Sequence, residues 1–529
     1  MTLHVRWLGR VRYRDVHALQ RGLFESSPDD HLLLLEHPHV YTLGVRADLA
    51  NVLVPPADVG AELVKTDRGG DVTYHGPGQL TGYPILSVGG RGRLTDTVAY
   101  VRSVEQLIID ALADLGLAAG RADRYPGVWI DDRKICAVGV KLSRGRSMHG
   151  FALNVDPDLT MFDHIVPCGI PDKRVTSLRA EGLAVTMAEV VDAVTTRAVE
   201  RWGTAGHTRA GVTDFSWQKS ASDDGFRHEK PVEVRLRKAG VTEGLQLTER
   251  KPEWLRAKVR MGRDYLDLKR TMRDLDLVTV CEEAGCPNIF ECWADGTATF
   301  MLNGERCTRA CGFCLVDTRH PLPLDPGEPA RVADAVQRMG LQHAVLTAVA
   351  RDDLDDGGAG AFAEAITAIR RRTPGCAVEV LIPDCKGNPD ALEVIFVARP
   401  DVLNHNIETV ARLQRAVRPS AAYARSLAVL ARAKAAGLTT KSGLILGMGE
   451  TDDEVLATLA DLRGVGVDIV TIGQYLRPTA DHLPVARWVP PEVFDALAAA
   501  GEALGIPHVE ASPMTRSSYH ARQAAEAAS

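Results

Sequence analysis

Thr297-Ala298-Thr299-Phe300-Met301-Leu302, followed closely by Cys307-Thr308-Arg309-Ala310-Cys311-Gly312-Phe313-Cys314, decides the fold of the second half of this chain. The apolar run reads as a strand, and the thiol triplet as a loop at its end. Five more apolar strand candidates follow, at 344–349, 377–382, 401–404, 439–446 and 468–472. Stretches of helical spacing lie at 361–371, 426–436, 452–462 and 492–504. Thr451 with Glu454 fits a capping box opening one of these helices. Repeated strand–helix units imply an α/β fold with a parallel sheet. Six of them predict a full or partial barrel, a (β/α)6 arrangement like a TIM barrel. In such folds the site lies at the C-terminal ends of the strands, where 307–314 falls.

Six of the ten cysteines lie between 281 and 314. Cys307, Cys311 and Cys314 form CxxxCxxC. Thiolates on a short loop can wrap an iron–sulfur cubane. With three of them, one iron of a four-iron cluster lacks a nearby protein ligand and can bind a small molecule. A structural zinc would want a fourth ligand, for which His320 is a distant candidate. Upstream, Cys281, Cys286 and Cys292 form a second triplet. It fits a second cluster with an unusual fourth ligand, or a share in one metal site with the first.

The chain of 529 residues suits two or three domains, and 45% hydrophobic with 25% charged residues is a globular composition. The net charge of −7 argues against a nucleic-acid partner held by bulk positive charge. No apolar run approaches the roughly 18 residues that would cross a bilayer. Met1–Arg14 scatters Arg and His among its apolar residues and has no signal-peptide core. The expectation is a cytoplasmic protein with no membrane partner, whose thiols serve metal ligation or catalysis and not a disulfide framework.

The periodic pattern lapses around 203–229, which reads as a linker. The expected division is 1–205, a linker at 206–229, and 230–529. The half before the seam reads as α+β with a mainly antiparallel sheet. Strand candidates are 31–36, 40–44 and 151–155, a hairpin joins 127–130 to 134–141, and 97–117 is one long amphipathic helix. Arg68-Gly69-Gly70-Asp71-Val72-Thr73-Tyr74-His75-Gly76-Pro77-Gly78 lets backbone approach a ligand closely. Cys168, between Pro167 and Gly169, is a nucleophile candidate on a turn.

From about 230 to 529 the chain resembles lipoyl synthase, a radical S-adenosylmethionine enzyme. The resemblance rests on both cysteine triplets, 251–258, Arg351-Asp352-Asp353-Leu354, and Asn404-His405-Asn406-Ile407-Glu408-Thr409. It also rests on Lys441-Ser442-Gly443, 473–479 and Arg516-Ser517-Ser518-Tyr519-His520. It implies two [4Fe-4S] clusters and S-adenosyl-L-methionine as cofactors. Cys307, Cys311 and Cys314 would hold the cluster that binds S-adenosylmethionine. Cys281, Cys286, Cys292 and the hydroxyl of Ser518 would hold an auxiliary cluster that supplies sulfur. Asn404, Asn406 and Glu408 would face the cofactor. One departure is Ala350, where the family usually carries an acid.

From about 1 to 205 the chain resembles lipoyl(octanoyl) transferase, of the biotin/lipoate protein ligase fold type. The matching residues are 36–44, Arg68–Tyr83, Asp132–Gly139 and the Cys168 turn. The resemblance implies that Cys168 becomes acylated, with Lys134 as its partner. Arg68, Gly69, Gly70, Asp71, Val72, Thr73, Tyr74, His75, Ala137, Val138, Gly139, Gly150, Phe151 and Ala152 would form the acyl-binding segments. The two resemblances describe consecutive steps: octanoyl transfer to a lysine, then sulfur insertion at C6 and C8. The implied partners are octanoyl-acyl carrier protein, the lipoyl domains of 2-oxoacid dehydrogenase E2 subunits and glycine cleavage H protein. An electron donor such as ferredoxin or flavodoxin completes them.

Overall fold

The computed structural model describes residues 1–88, 96–123, 125–169, 173–203, 205–211, 232–242, 250–255 and 297–528, with single positions at 244, 270, 275, 277, 288 and 292. Cys281 and Cys286 lie outside the described residues, as does most of the expected linker, and only the backbone of Cys168 is described. The chain forms two compact units, Met1–Ala221 and Ser222–Ser529.

The first unit is built on strands β1 (Leu3–Arg10), β2 (Asp30–Glu36), β3 (Val40–Leu43), β4 (Glu62–Lys65), β5 (Val72–His75), β6 (Gln79–Ile85), β7 (Val128–Ile130), β8 (Arg133–Ser143), β9 (Arg146–Asn154), β10 (Arg174–Val175) and β11 (His207–Gly211). The main sheet runs β10-β8-β9-β6-β2-β1-β11, with β7 on β8. Its antiparallel pairings, β2–β6, β6–β9, β7–β8 and β8–β9, meet the expectation, and parallel pairings at its two ends make it mixed. β1 pairs parallel with both β2 and β11, and β10 pairs parallel with β8. The cause is helix α1 (Tyr13–Ser26), which carries the chain from β1 back to the start of β2 as a parallel crossover needs. The first residues of the expected seam, His207–Gly211, thus complete this sheet. β3, β4 and β5 make a separate three-stranded sheet.

β2 is buried along Leu32, Leu33, Leu34 and Leu35 because it is covered on both faces. Leu32 and Leu34 join Leu80, Leu107, Ile108, Phe151 and Val194 in the core beneath α2 (Thr97–Asp114) and α3 (Met187–Trp202). The Phe151 ring lies on the α-carbon of Gly82, so a Cβ at 82 would stand 2.1 Å from its Cζ. Gly82→Ala is therefore expected to cost about 1–3 kcal/mol by overpacking, read as a lowered denaturant midpoint at unchanged slope.

The second unit contains a parallel sheet of seven strands in chain order: β12 (Thr297–Leu302), β13 (His343–Ala348), β14 (Ala377–Leu381), β15 (Val402–Asn404), β16 (Thr439–Leu446), β17 (Ile469–Gln474) and β18 (His508–Ala511). Six helices make the connections: α4 (Glu328–Arg338), α5 (Ala359–Arg372), α6 (Pro389–Val397), α7 (Tyr423–Ala435), α8 (Asp452–Gly464) and α9 (Pro491–Ala503). The six expected strand–helix units are present, and β18 adds a seventh strand. The capping box of Thr451 and Glu454 opens α8.

Within this sheet, fully buried Lys441 on β16 lies 3.0 Å from Glu379 on β14, and Asn404 Nδ2 donates to Glu379 at 3.1 Å. Burial works to raise the Glu379 carboxyl, and the Lys441 charge and hydrogen bond together with His343 hold it below the ordinary value. Lys441→Met removes the ammonium and leaves the buried carboxylate without its charged partner, at a cost of about 3–5 kcal/mol near neutral pH. With a raised carboxyl in the variant and a lowered one in the parent, the stability gap should widen as pH rises from acid to neutral. Urea unfolding at several pH values measures it.

Candidate active sites

In the first unit, the loop after β4 and the central strands line a cleft open to solvent. Arg68, Gly69, Gly70 and Asp71 form one wall, and Ala137–Gly139 of β8 with Gly150–Ala152 of β9 form another. These strands run antiparallel with Ala137 opposite Ala152 and Gly139 opposite Gly150. Small residues at these positions let the wall approach closely. The Gly69 backbone N–H donates to Val140 at 3.1 Å, and an added Cβ at Gly139 would stand 3.1 Å from the Gly69 oxygen. Arg68 is buried and locked: its Nε donates to Thr42 Oγ1 at 3.1 Å, and its Nη1 to the Gly69 carbonyl at 3.0 Å.

Along β5, Thr73 and His75 line the cleft, whereas Val72 and Tyr74 turn to a small core with Tyr41 and Phe162. Burial lowers His75 well below its ordinary value, so it lines the cleft as a neutral ring. Tyr13, Tyr83 and His149 also line the cleft, although sequence reasoning gave them no role. Tyr83 closes the matching range Arg68–Tyr83 and was within reach. Tyr13 sits on α1, which the sequence reading missed.

Lys134 on β8 is buried, with its Nζ 4.8 Å from the Trp129 ring and its stem against Gly127. It is not a solvated hairpin residue. Cys168 lies in the turn Pro167–Gly169. Two bonds anchor that turn: Val166 N–H donates to the Asn51 carbonyl at 2.8 Å, and Asn51 Nδ2 donates to Asp71 Oδ2 at 2.7 Å. A Cβ at Gly169 would stand 2.8 Å from Asp71 Oδ2, so the turn rests on the cleft wall. Past the turn the chain returns to Lys134 as β10, where Val175 pairs with Lys134 and Thr176 N–H donates to its carbonyl at 2.9 Å.

In the second unit, candidate residues gather at the C-terminal ends of the strands. The loop carrying Cys307, Cys311 and Cys314 follows β12. Arg309 within it is buried; its Nε and Nη2 reach the Asp352 carboxylate at 2.7 Å, and Nη2 reaches Asp384 Oδ1 at 2.6 Å. Asp352 follows β13 and Asp384 follows β14, so one guanidinium ties the loop to two strand ends. Cys307 Sγ accepts backbone N–H bonds from Arg309 at 3.4 Å and Ala350 at 3.3 Å. Ala350 serves through its backbone, and its carbonyl accepts from Thr308 Oγ1 at 2.9 Å. Burial raises all three thiols, Cys314 to about 12, and iron binding would replace those protons. Three thiols on one loop, with N–H donors aimed at a sulfur, fit an iron–sulfur cluster.

At the end of β15, Asn404 points to Glu379 within the sheet, whereas Asn406 in the following loop donates through Nδ2 to Ser517 Oγ at 2.6 Å. Glu408 holds a left-handed backbone, φ 65°, and its N–H donates to Gly443 at 2.9 Å. Burial raises its carboxyl, and Arg418 opposes this. Asn288, which lies between Cys286 and Cys292 in sequence, donates through Nδ2 to the Met514 carbonyl at 2.7 Å. This bond ties Asn288 to the chain two residues before Arg516. The described cysteines without an assigned role, Cys136, Cys376 and Cys385, are buried, and burial pushes Cys376 up to about 11 and Cys385 to about 12.

Residues 12–198 match the family model of the lipoyl protein ligase A/B catalytic domain. Residues 224–286 match the N-terminal domain of lipoyl synthase, and 303–462 the radical SAM superfamily. A lipoyl synthase of Mycobacterium avium is 57% identical over 283 residues, covering 53% of this chain and 92% of that protein. One of Rubrobacter xylanophilus is 58% identical over 278 residues, covering 52% and 87%. A solved bi-partite lipoate protein ligase from Thermoplasma acidophilum, described with its E2 lipoyl domain, aligns with 41% of this chain and 89% of its own at 18% identity and TM-score 0.34. Among the described residues no helix is long and apolar enough to cross a membrane. The chain is an enzyme of lipoate biosynthesis that belongs, through its second unit, to the lipoyl synthase family and carries a lipoyl protein ligase A/B catalytic domain before it.

Proposed function

We propose that the chain performs two consecutive steps: octanoyl transfer from octanoyl-acyl carrier protein to a lipoyl-domain lysine, then insertion of two sulfurs into that octanoyl group. The observation that supports the first step is the cleft lined by Arg68–Asp71, Ala137–Gly139 and Gly150–Ala152, with Gly169 of the Cys168 turn set against Asp71 of its wall. The Cys168 thiolate attacks the carrier thioester carbonyl, and the carrier leaves as its thiol with a proton from Lys134. The acceptor lysine amine then attacks the Cys168 thioester, an amide forms, and Cys168 departs as the thiolate. Lys134 takes the proton lost by the acceptor nitrogen, which restores the starting pair. The small-residue walls hold the acyl chain, and buried, neutral His75 adds no charge to an apolar ligand's site.

For the second step, Cys307, Cys311 and Cys314 would hold one cluster, and Cys281, Cys286, Cys292 and Ser518 the other. S-adenosylmethionine on the first cluster supplies the hydrogen-abstracting radical, and the auxiliary cluster supplies sulfur. The chain's own part is placement. Arg309 ties the thiol loop to two strand ends, and Asn288 holds the tail at Met514. The lipoyl domains of 2-oxoacid dehydrogenases and glycine cleavage H protein are the acceptors, and ferredoxin or flavodoxin the reductant.

The test is anaerobic incubation of the full chain with octanoyl carrier protein, an apo lipoyl domain, S-adenosylmethionine and a reductant, followed by mass spectrometry of the domain. Sequential appearance of octanoyl and lipoyl forms is expected. Octanoylation that needs ATP and free octanoate instead would make the first unit a ligase.

A further inference from the structure

After β18 the chain does not leave the sheet. Ser512 N–H donates to Ile472 at 3.1 Å and Gln474 N–H to Pro513 at 3.3 Å, so the tail crosses the end of β17. It lies against Gly473, where an added Cβ would stand 2.1 Å from the Thr515 oxygen. Two buried asparagines then grip it from different parts of the chain. Asn288 Nδ2 donates to the Met514 carbonyl at 2.7 Å, and Asn406 Nδ2 donates to Ser517 Oγ at 2.6 Å. Asn406 is itself fixed. Its carbonyl accepts from Arg418 Nη1 at 3.0 Å, and its Oδ1 abuts Gly443, where a Cβ would stand 2.7 Å away. The last gripped residue directly precedes Ser518.

We propose that the Asn406–Ser517 hydrogen bond is a latch that sets the position of the Ser518 hydroxyl, making Asn406 and Ser517 positioning residues for the auxiliary iron site. The inference rests on the reading of Ser518 as a ligand. A neutral hydroxyl is a weak partner for iron–sulfur chemistry, so its occupancy depends on how often the tail presents it. A free tail offers an effective concentration only in the millimolar range, and an anchor one residue away raises it without a new bond to iron. The anchor stands on the loop after β15, which also carries Glu408. The latch touches Ser517 and not Ser518, so the hydroxyl can leave iron while the tail stays docked.

The test uses the full, cluster-loaded chain under anaerobic conditions and follows iron transfer to a chromophoric ferrous chelator, with Mössbauer spectra before and after. Ser518→Ala defines the labile iron pool. Ser517→Ala is expected to release that same pool about five- to tenfold faster than the parent, the size of one lost hydrogen bond. Ser517→Thr, which keeps the hydroxyl, should stay near the parent rate. The double variant should match Ser518→Ala alone, because Ser517 acts only through its neighbour, whereas a merely structural role would add a further increment. If Ser518→Ala labilises iron and Ser517→Ala does not, the latch is wrong and the ligand reading stands. If Ser518→Ala leaves every iron as tightly held as in the parent, the ligand reading fails and the latch falls with it.

Discussion

Cys168→Ala is expected to lower octanoyl transfer by a factor of about 10³ or more and to abolish the octanoyl adduct on the protein. A thiolate both attacks and leaves well, and no neighbouring group on the cleft wall offers the same pair of properties. Asp71 faces the turn, but it is a weak nucleophile and would form a less tractable anhydride. Intact-mass measurement after incubation with octanoyl carrier protein reads the adduct, and a lipoyl-domain assay reads the rate. Persistence of the adduct in Cys168→Ala would move the nucleophile elsewhere. Lipoylation of a domain that already carries octanoate should proceed at the parent rate, because the sulfur-inserting residues lie on a unit with its own core.

Cys307→Ala produces the mirror result. Formation of 5′-deoxyadenosine should fall to background and iron per chain should drop, while octanoyl transfer stays at the parent level. The loop provides three thiols, so losing one leaves two, too few to hold a cubane with one open iron. Cys307 is the most informative of the three because its sulfur accepts two backbone N–H bonds that would otherwise face an apolar methyl. Quantifying 5′-deoxyadenosine by chromatography and iron colorimetrically checks both parts. Retention of S-adenosylmethionine cleavage in this variant would assign the radical site to other thiols.

Much of this was legible in the residues. Alternating apolar runs and helical spacing located six strands of the second unit to within about two residues, because buried parallel strands leave continuous apolar stretches. β18 escaped, since His508-Val509-Glu510-Ala511 is a short edge strand with two charged or titratable side chains. β1 escaped for a related reason. His4 and Arg6 are buried in it and satisfied by Thr208, 2.8 Å from His4 Nδ1 and 3.1 Å from Arg6 Nη1, so hydrophobicity did not mark the strand. With β1 unseen, α1 and the parallel pairing it imposes were unseen too.

The sequence by itself determined the chemistry. Thiol spacing pointed to a cluster loop, glycine placement to backbone that approaches a ligand, which the family resemblance made an acyl site, and a cysteine between proline and glycine to a nucleophile candidate. These signals are local, because a cluster loop and a tight turn are built from residues a few positions apart. Only the tertiary structure decided which of those residues act together. It turned Val72 and Tyr74 away from the cleft that Thr73 and His75 line, sent Asn404 to Glu379 and Asn406 to Ser517, and joined Asn288 to Met514 across 226 positions. Strand pleat fixes the first of these choices, and single hydrogen bonds between distant segments fix the others. Such bonds have no periodicity along the chain, so they become visible only when the strands bring their ends together.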